Sequence, residues 1–361
     1  MQAIAAIPGS HKPALVDVSN PAPPGQGQVL CRTLQLGVCG TDREILESGK
    51  PLVPPAEDYL ILGHECLARV EQVGEGVDQF QQGDLVVPLV RRAKGKQDHR
   101  VDLLACGEYT ERGIAYEHGF AASFWLDRPQ YLIRVDDRLT DVAVFTEPLS
   151  IAEKGVNEAL TIQRARLGSQ VWVDMPPRVL VTGMGPIGFA GLLACRCRGW
   201  PVTVYGRDGE DSFRVAHLKA LGGSYTRQGA RLACTENADD GYDLILECTG
   251  SDAVLMEAAQ ALAPRAVMVW LGSTWTQMPR EHNVDLLMWE GLFRNNVHLG
   301  CVNSAPRDFA NAIEHLTCLL ESTPDAIQGL ITERVAPEDA LWHYENRRPQ
   351  GIKTVVVYDE S

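Results

Sequence analysis

Val179-Leu180-Val181-Thr182-Gly183-Met184-Gly185-Pro186-Ile187-Gly188 decides the fold. The first four residues read as a short buried strand. The apolar run Phe189-Ala190-Gly191-Leu192-Leu193-Ala194-Cys195 that follows the glycines reads as a helix. Each glycine between them has a physical task. Gly183 permits a tight turn, Gly185 lets backbone approach a pyrophosphate, and Gly188 lets the helix pack close to the sheet. Met184, Pro186 and Ile187 fill the positions between, and the free N–H groups that open the helix suit phosphates. A lone G-x-G-x-x-G is a weak signal, but a strand before it and a helix and second strand after it make it a dinucleotide loop.

That second strand is Val202-Thr203-Val204-Tyr205. An acidic residue at its end would accept from the free ribose of NAD. The chain instead has Gly206, Arg207 and Asp208 there. A small residue leaves room for a 2′-phosphate and a guanidinium pairs with it, which favours NADP. Asp208, able to reach a free ribose, keeps NAD open.

Further along, residues 215–221 read as helix, Asp243-Leu244-Ile245-Leu246 as strand, residues 253–262 as helix and residues 266–271 as strand. Strands alternating with helices imply a doubly wound parallel sheet covered on both faces, an α/β class. The N-terminal part differs. Short β-rich runs such as Gln28-Val29-Leu30-Cys31-Arg32-Thr33, Leu67-Ala68-Arg69-Val70 and Asp84-Leu85-Val86-Val87 are broken by Gly, Pro and Asp, as in a mainly β domain. The final run Thr354-Val355-Val356-Val357-Tyr358 reads as a strand that could return to it. We expect one domain from residues 1–152 and 304–361, and a nucleotide-binding domain from residues 153–303.

Bulk properties narrow the partners. The 361 residues carry a formal net charge of -14, which disfavours nucleic acid as a main partner. No stretch approaches the roughly 20 apolar residues of a membrane span. The start, MQAIAAIPGSHKPALVDV, has no signal-peptide pattern, so the expected location is the cytoplasm. The 10 cysteines are scattered and predict no disulfide framework.

One cysteine stands apart. Leu36-Gly37-Val38-Cys39-Gly40-Thr41-Asp42 places Cys39 in a glycine-flanked turn. Leu62-Gly63-His64-Glu65 and, much later, Thr146-Glu147-Pro148 supply an imidazole and carboxylates. Thiolate, imidazole and carboxylate make three zinc ligands with a fourth position open, the requirement of a catalytic site. Glu65 could join the metal directly or act on it from behind His64. Zinc beside a nicotinamide loop suits hydride removal from an alcohol.

These segments resemble the medium-chain zinc dehydrogenases, with a GroES-like domain beside a Rossmann domain. The resemblance continues through Val73-Gly74-Glu75-Gly76-Val77 and Gly83-Asp84-Leu85-Val86-Val87-Pro88 and covers nearly the whole chain. Other segments narrow it to the glucose (aldose) 1-dehydrogenase branch: Val90-Arg91-Arg92, Gly107-Glu108-Tyr109-Thr110-Glu111-Arg112-Gly113-Ile114, Glu147-Pro148-Leu149-Ser150-Ile151-Ala152-Glu153-Lys154 and Gly300-Cys301-Val302-Asn303. The resemblance implies oxidation of D-glucose, or another aldose such as galactose, at the anomeric carbon to the aldonolactone, with NADP or NAD as acceptor. It implies Cys39, His64 and Glu147 as zinc ligands, with Glu65 alternating or indirect. Thr41 would bond the reacting hydroxyl, and Glu111, Glu147 and Asn303 would grip sugar hydroxyls. Leu271-Gly272-Ser273 and Cys301-Val302-Asn303 match segments facing the nicotinamide. It also implies a homodimer or homotetramer, formed through an edge strand near Val297.

Two departures stand out. Many relatives hold a structural zinc with four closely spaced cysteines, whereas residues 92–111 keep only Cys106, with Asp98, His99 and Asp102 nearby. We expect one catalytic zinc and no structural one. Ala68 also replaces a usual glycine. Two rival readings keep the sequence pattern: a polyol or secondary-alcohol dehydrogenase of the same architecture, and a non-catalytic dinucleotide-binding redox sensor. The latter predicts loss of a zinc ligand or of Thr41, and all are present.

Overall fold

The computed structural model describes residues 1–95, 100–229, 232, 241–273 and 281–358. Two compact units emerge. The first comprises Met1–Glu147, Asn303–Leu320 and Ile327–Ser361, and the second Pro148–Val302 and Glu321–Ala326.

The first unit opens with β1 (Gln2–Ala6), β2 (Pro13–Asp17), β3 (Val29–Gly37), α1 (Gly40–Ser48), β4 (Leu60–Ile61) and β5 (Glu65–Val73). It continues with β6 (Leu85–Pro88), β7 (Arg91–Ala93), β8 (Tyr109–Arg112), β9 (Tyr116–Glu117), β10 (Phe124–Asp127) and β11 (Leu132–Val135). Helix α2 (Thr146–Leu167) leads into the second unit: β12 (Val179–Thr182), α3 (Pro186–Arg196), β13 (Val202–Gly206), α4 (Phe213–Ala220), β14 (Ser224–Arg227), β15 (Tyr242–Glu247), α5 (Asp252–Ala259), β16 (Leu262–Trp270), α6 (Val284–Arg294) and β17 (Val297–Gly300). The chain then runs through α7 (Pro306–Ser322), α8 (Pro324–Gln328), β18 (Ile331–Val335), α9 (Leu341–Glu345) and β19 (Lys353–Val357).

In the first unit, a seven-stranded sheet runs β11-β6-β5-β3-β19-β18, with β10 also on β3. β3 is its spine. Its second half, from Thr33 to Gly37, is buried throughout because β5, β10 and β19 flank it. Leu36, Cys66, Ile45, Phe120, Trp125 and Tyr344 share its core. Burying a side chain such as Leu36 contributes about 1.5–3 kcal/mol. The register pairs Gly37 with Glu65 on β5 and with Val355 on β19. The C-terminal strand therefore returns to the first unit, a possibility that its apolar run left open.

The second unit's sheet runs β14-β13-β12-β15-β16-β17, and every pair in it is parallel. Strand order reverses at β12, the switch point where doubly wound sheets bind ligands beyond the strands' carboxyl ends. β12 is buried along its whole length, which explains its unbroken apolar run.

One element differs from the sequence reading. Residues 253–262 do not form a single helix: α5 ends at Ala259, and Leu262 already pairs with Tyr242 as the start of β16. The next pair is Leu244 with Val267, so the residues between bulge out. Pro264 lacks an N–H for the ladder, and Arg265 takes φ +66°. An apolar run interrupted by such a bulge carries neither clean period.

Candidate active site

Strand β3 delivers its last residues to one point. Cys39 is the N-cap of α1, and its N–H donates to Asp42 Oδ2 at 2.9 Å. Cys39 Sγ lies 3.7 Å from Thr41 Oγ1, which places a hydroxyl beside the thiol. His64 immediately precedes β5 and follows Gly63, whose φ of +86° is left-handed. A Cβ at Gly63 would also come within 2.6 Å of Leu36 Cδ2, so only glycine lets the chain turn here.

Donor atoms of Cys39, His64 and Glu65 all lie within 4.8 Å of one another. His64 Nδ1 faces Asp42 Oδ1 at 3.5 Å, and among the described residues neither atom has a hydrogen-bond partner. The imidazole's other nitrogen is thereby left for a ligand, the arrangement by which a carboxylate orients a metal-bound histidine. Burial alone would lower the His64 pKa, but Cys39 and Asp42 lift it well above its usual value. The pocket is thus short of positive charge. A thiolate, an imidazole and a carboxylate converging in an electron-rich pocket fit a zinc ion.

Glu65 is also half of a buried ion pair. Lys353 Nζ, at the head of β19, lies 2.5 and 2.8 Å from its two oxygens and donates to Val38 O at 3.3 Å. Gly37 makes room for this pair, since a Cβ there would fall 2.1 Å from Glu65 Oε2. Glu147, in the first turn of α2, is not one of the three converging donors. Burial pushes its pKa up to about 7, opposed by His64 and Lys353 and reinforced by Glu65 and Asp42. It therefore stands in the field of the same cluster.

Glu111 on β8 and Asn303 meet directly, with Asn303 Nδ2 donating to Glu111 Oε1 at 2.9 Å. Asn303 has φ +60°, and its Oδ1 accepts from Ser304 N at 2.9 Å. Near this pair, Asp102 is held by Arg100 at 2.9 and 3.0 Å, while Asp98 and His99 lie outside the described residues.

In the second unit, Gly183 has φ +95°, and Gly185 is the N-cap of α3 with Pro186 at its start. A Cβ on Gly188 would lie 2.0 Å from Gly183 O, so the third glycine is what lets α3 approach the turn. At the end of β13, a Cβ on Gly206 would lie 2.5 Å from Met184 Cγ. Arg207 is exposed next to it. Asp208 is taken by Arg214, which also donates to Met184 O at 3.4 Å. Leu271 N and Gly272 N bond Glu247 O at 2.8 and 2.9 Å. Lys154 Nζ anchors Val302 O at 2.7 Å, beside Cys301.

The sequence reading named Cys39, His64 and Glu65 but missed Gly37, Lys353 and Arg214. Lys353 carried one signal, a charge at the head of an otherwise apolar strand.

Comparisons with known proteins bear on this geometry. Residues 140–358 match the family model "Glucose dehydrogenase C-terminus", and residues 25–137 match "Alcohol dehydrogenase GroES-like domain". Glucose 1-dehydrogenase 2 of Vulcanisaeta moutnovskia is 38% identical over 100% of both chains. The glucose 1-dehydrogenase of Thermoproteus tenax is 38% identical over 94% of each. The structure superposes on Haloferax mediterranei glucose dehydrogenase, solved with NADP, zinc and gluconolactone, with a TM-score of 0.86 at 27% identity over 100% of both chains. The fold is a GroES-like unit with a Rossmann unit, the architecture of medium-chain dehydrogenases. The chain belongs to the glucose dehydrogenase family and is an NAD(P)-dependent oxidoreductase.

Proposed function

We propose that this enzyme oxidises D-glucose at its anomeric carbon to the aldonolactone, transferring hydride to NADP, with galactose and NAD as slower alternatives. The observation that carries the reading is the convergence of the Cys39, His64 and Glu65 donors beside the Thr41 hydroxyl. The names of its relatives, and the NADP, zinc and gluconolactone held by the Haloferax enzyme, point the same way.

Cys39, His64 and a carboxylate would hold one zinc ion. We assign Glu147 as that carboxylate's first source, because Lys353 already engages both oxygens of Glu65. Glu65 then serves as the alternate ligand. Bound there, zinc supplies Lewis acidity that makes the anomeric hydroxyl easier to ionise. Thr41 Oγ1 accepts the hydroxyl's proton through a hydrogen bond and passes it outward. Glu111, Glu147 and Asn303 bond the remaining ring hydroxyls, so sugars lacking one are rejected. When bound, NADP would accept the hydride that leaves C1 as that carbon becomes the lactone carbonyl. The backbone of Leu271, Gly272, Ser273, Cys301 and Val302 would face the nicotinamide ring.

Arg207, with Gly206 leaving space, receives the 2′-phosphate. Arg214 pairs with Asp208, which offsets the negative charge that a 2′-phosphate would meet there. The free thiols among the described residues suit the reducing cytoplasm. The chain works as a homodimer or homotetramer. Among the described residues β17 is the edge strand of its sheet, and Met288, Trp289, Leu292 and Phe293 of α6 are exposed in the same unit.

The test is cofactor reduction with NADP⁺ and NAD⁺ against glucose, galactose, sorbitol and 2-butanol. The account expects glucose with NADP⁺ to be fastest. Activity confined to sorbitol or 2-butanol would refute the aldose assignment.

A further inference from the structure

Glu111 spends one oxygen on its neighbours and keeps the other. Oε1 accepts from Arg91 Nε at 3.1 Å, from Arg91 Nη2 at 2.9 Å and from Asn303 Nδ2 at 2.9 Å. Three donors exceed the two lone pairs of one carboxylate oxygen. Among the described residues, Oε2 accepts no hydrogen bond.

Arg91 is itself rigid. It is buried on β7 directly opposite Glu111 on β8. Its Nη1 donates to Asp102 O at 3.0 Å, and its guanidinium lies 3.8 Å from the centre of the Tyr109 ring. Asp102 is in turn clamped by Arg100. Each nitrogen of this guanidinium therefore donates a hydrogen bond, and one face is stacked.

We propose that Arg91 is a positioning residue for substrate selection, fixing the Glu111 carboxyl so that its Oε2 alone is presented to a sugar hydroxyl. This rests on the reading that Glu111 grips the substrate. A guanidinium has donors only, so the Glu111 oxygen that faces it is committed as an acceptor. Its planar fork fixes the carboxylate's rotamer, which a lysine's single ammonium does not. Asn303 is locked by the same Oε1, so one arginine orders both sugar-facing side chains.

The experiment compares wild type, Arg91→Met, Arg91→Lys, Glu111→Gln and the double variant Arg91→Met/Glu111→Gln. Steady-state kinetics use glucose at saturating NADP⁺, alongside zinc content, NADP⁺ affinity and melting temperature. Arg91→Met should raise KM for glucose about tenfold or more while kcat moves less than about threefold. Zinc content and NADP⁺ affinity should stay unchanged, and Arg91→Lys should recover only part of the loss. In the Glu111→Gln background, Arg91→Met should add almost nothing, because it acts through Glu111.

An equal rise in KM in both backgrounds, or no rise, would overturn the assignment. If Arg91→Met fails to melt cooperatively, Arg91→Lys carries the same comparison. A wild type with no aldose turnover would defeat the substrate reading and this role together. Turnover with additive effects would defeat this role alone.

Discussion

Lys353 and Glu65 are both 1% exposed, and each supplies the other's counter-charge. Removing one partner of such a pair strands a buried charge. Lys353→Met should therefore destabilise the protein by about 3–5 kcal/mol in denaturant unfolding. Adding Glu65→Gln to it should restore most of that loss, since the stranded charge disappears. Equal stability of the single and double variants would show that the lysine matters for packing alone. The sequence displayed Cys39, His64 and Glu65 because each lies in a local glycine-marked motif. It did not display Lys353 or Gly37 as partners of Glu65. Their meeting depends on β3 pairing with β5 on one side and with β19 on the other, across more than 280 residues of chain.

At the scale of elements, the turn from β12 into α3 carries the strictest demand. Gly188 has Gly183 O where a Cβ would stand, at 2.0 Å. Gly188→Ala should force the helix away from the turn, weakening NADP⁺ binding about tenfold or more while leaving zinc content unchanged. Undiminished affinity would mean that the turn does not hold the pyrophosphate. This element was legible because strand, turn and helix are contiguous in sequence. β16 was less so, because its bulge at Pro264 and Arg265 breaks the period-two pattern. Asp208 was visible, but its partner was not. Arg214 reaches it from α4, and the residues alone do not specify that contact.

The whole molecule responds to acid through its histidines. Burial lowers the pKa of His118, His217, His298 and His343 below the ordinary 6.5. The unfolded chain takes up these protons near pH 6.5, while the folded chain resists them until lower pH. Stability is therefore fully present above about pH 6.5 and is lost as pH falls from there toward the folded-state values. Melting temperature should drop across that window. His217→Phe, which keeps the contacts with Phe189 and Phe213, should make the drop shallower. A melting temperature that holds steady below pH 6.5 would contradict the assignment. The doubly wound sheet was readable at this scale from alternating strands and helices. The route by which the final strand joins the first unit was readable only as a possibility, since an apolar run does not name its neighbour.

If Cys39, His64 and a neighbouring carboxylate hold one zinc ion on which glucose oxidation depends, bound metal and turnover must rise and fall together. The direct test measures bound zinc and glucose-dependent NADP⁺ reduction on the same preparations: wild type, chelator-treated protein, the treated protein with zinc restored, and Cys39→Ser. The account predicts close to one zinc per chain in the wild type. It predicts that metal and activity fall together on chelation and return together with zinc. In Cys39→Ser both should be lost while NADP⁺ still binds. Full glucose oxidation by zinc-free protein, or by Cys39→Ser without metal, would contradict it.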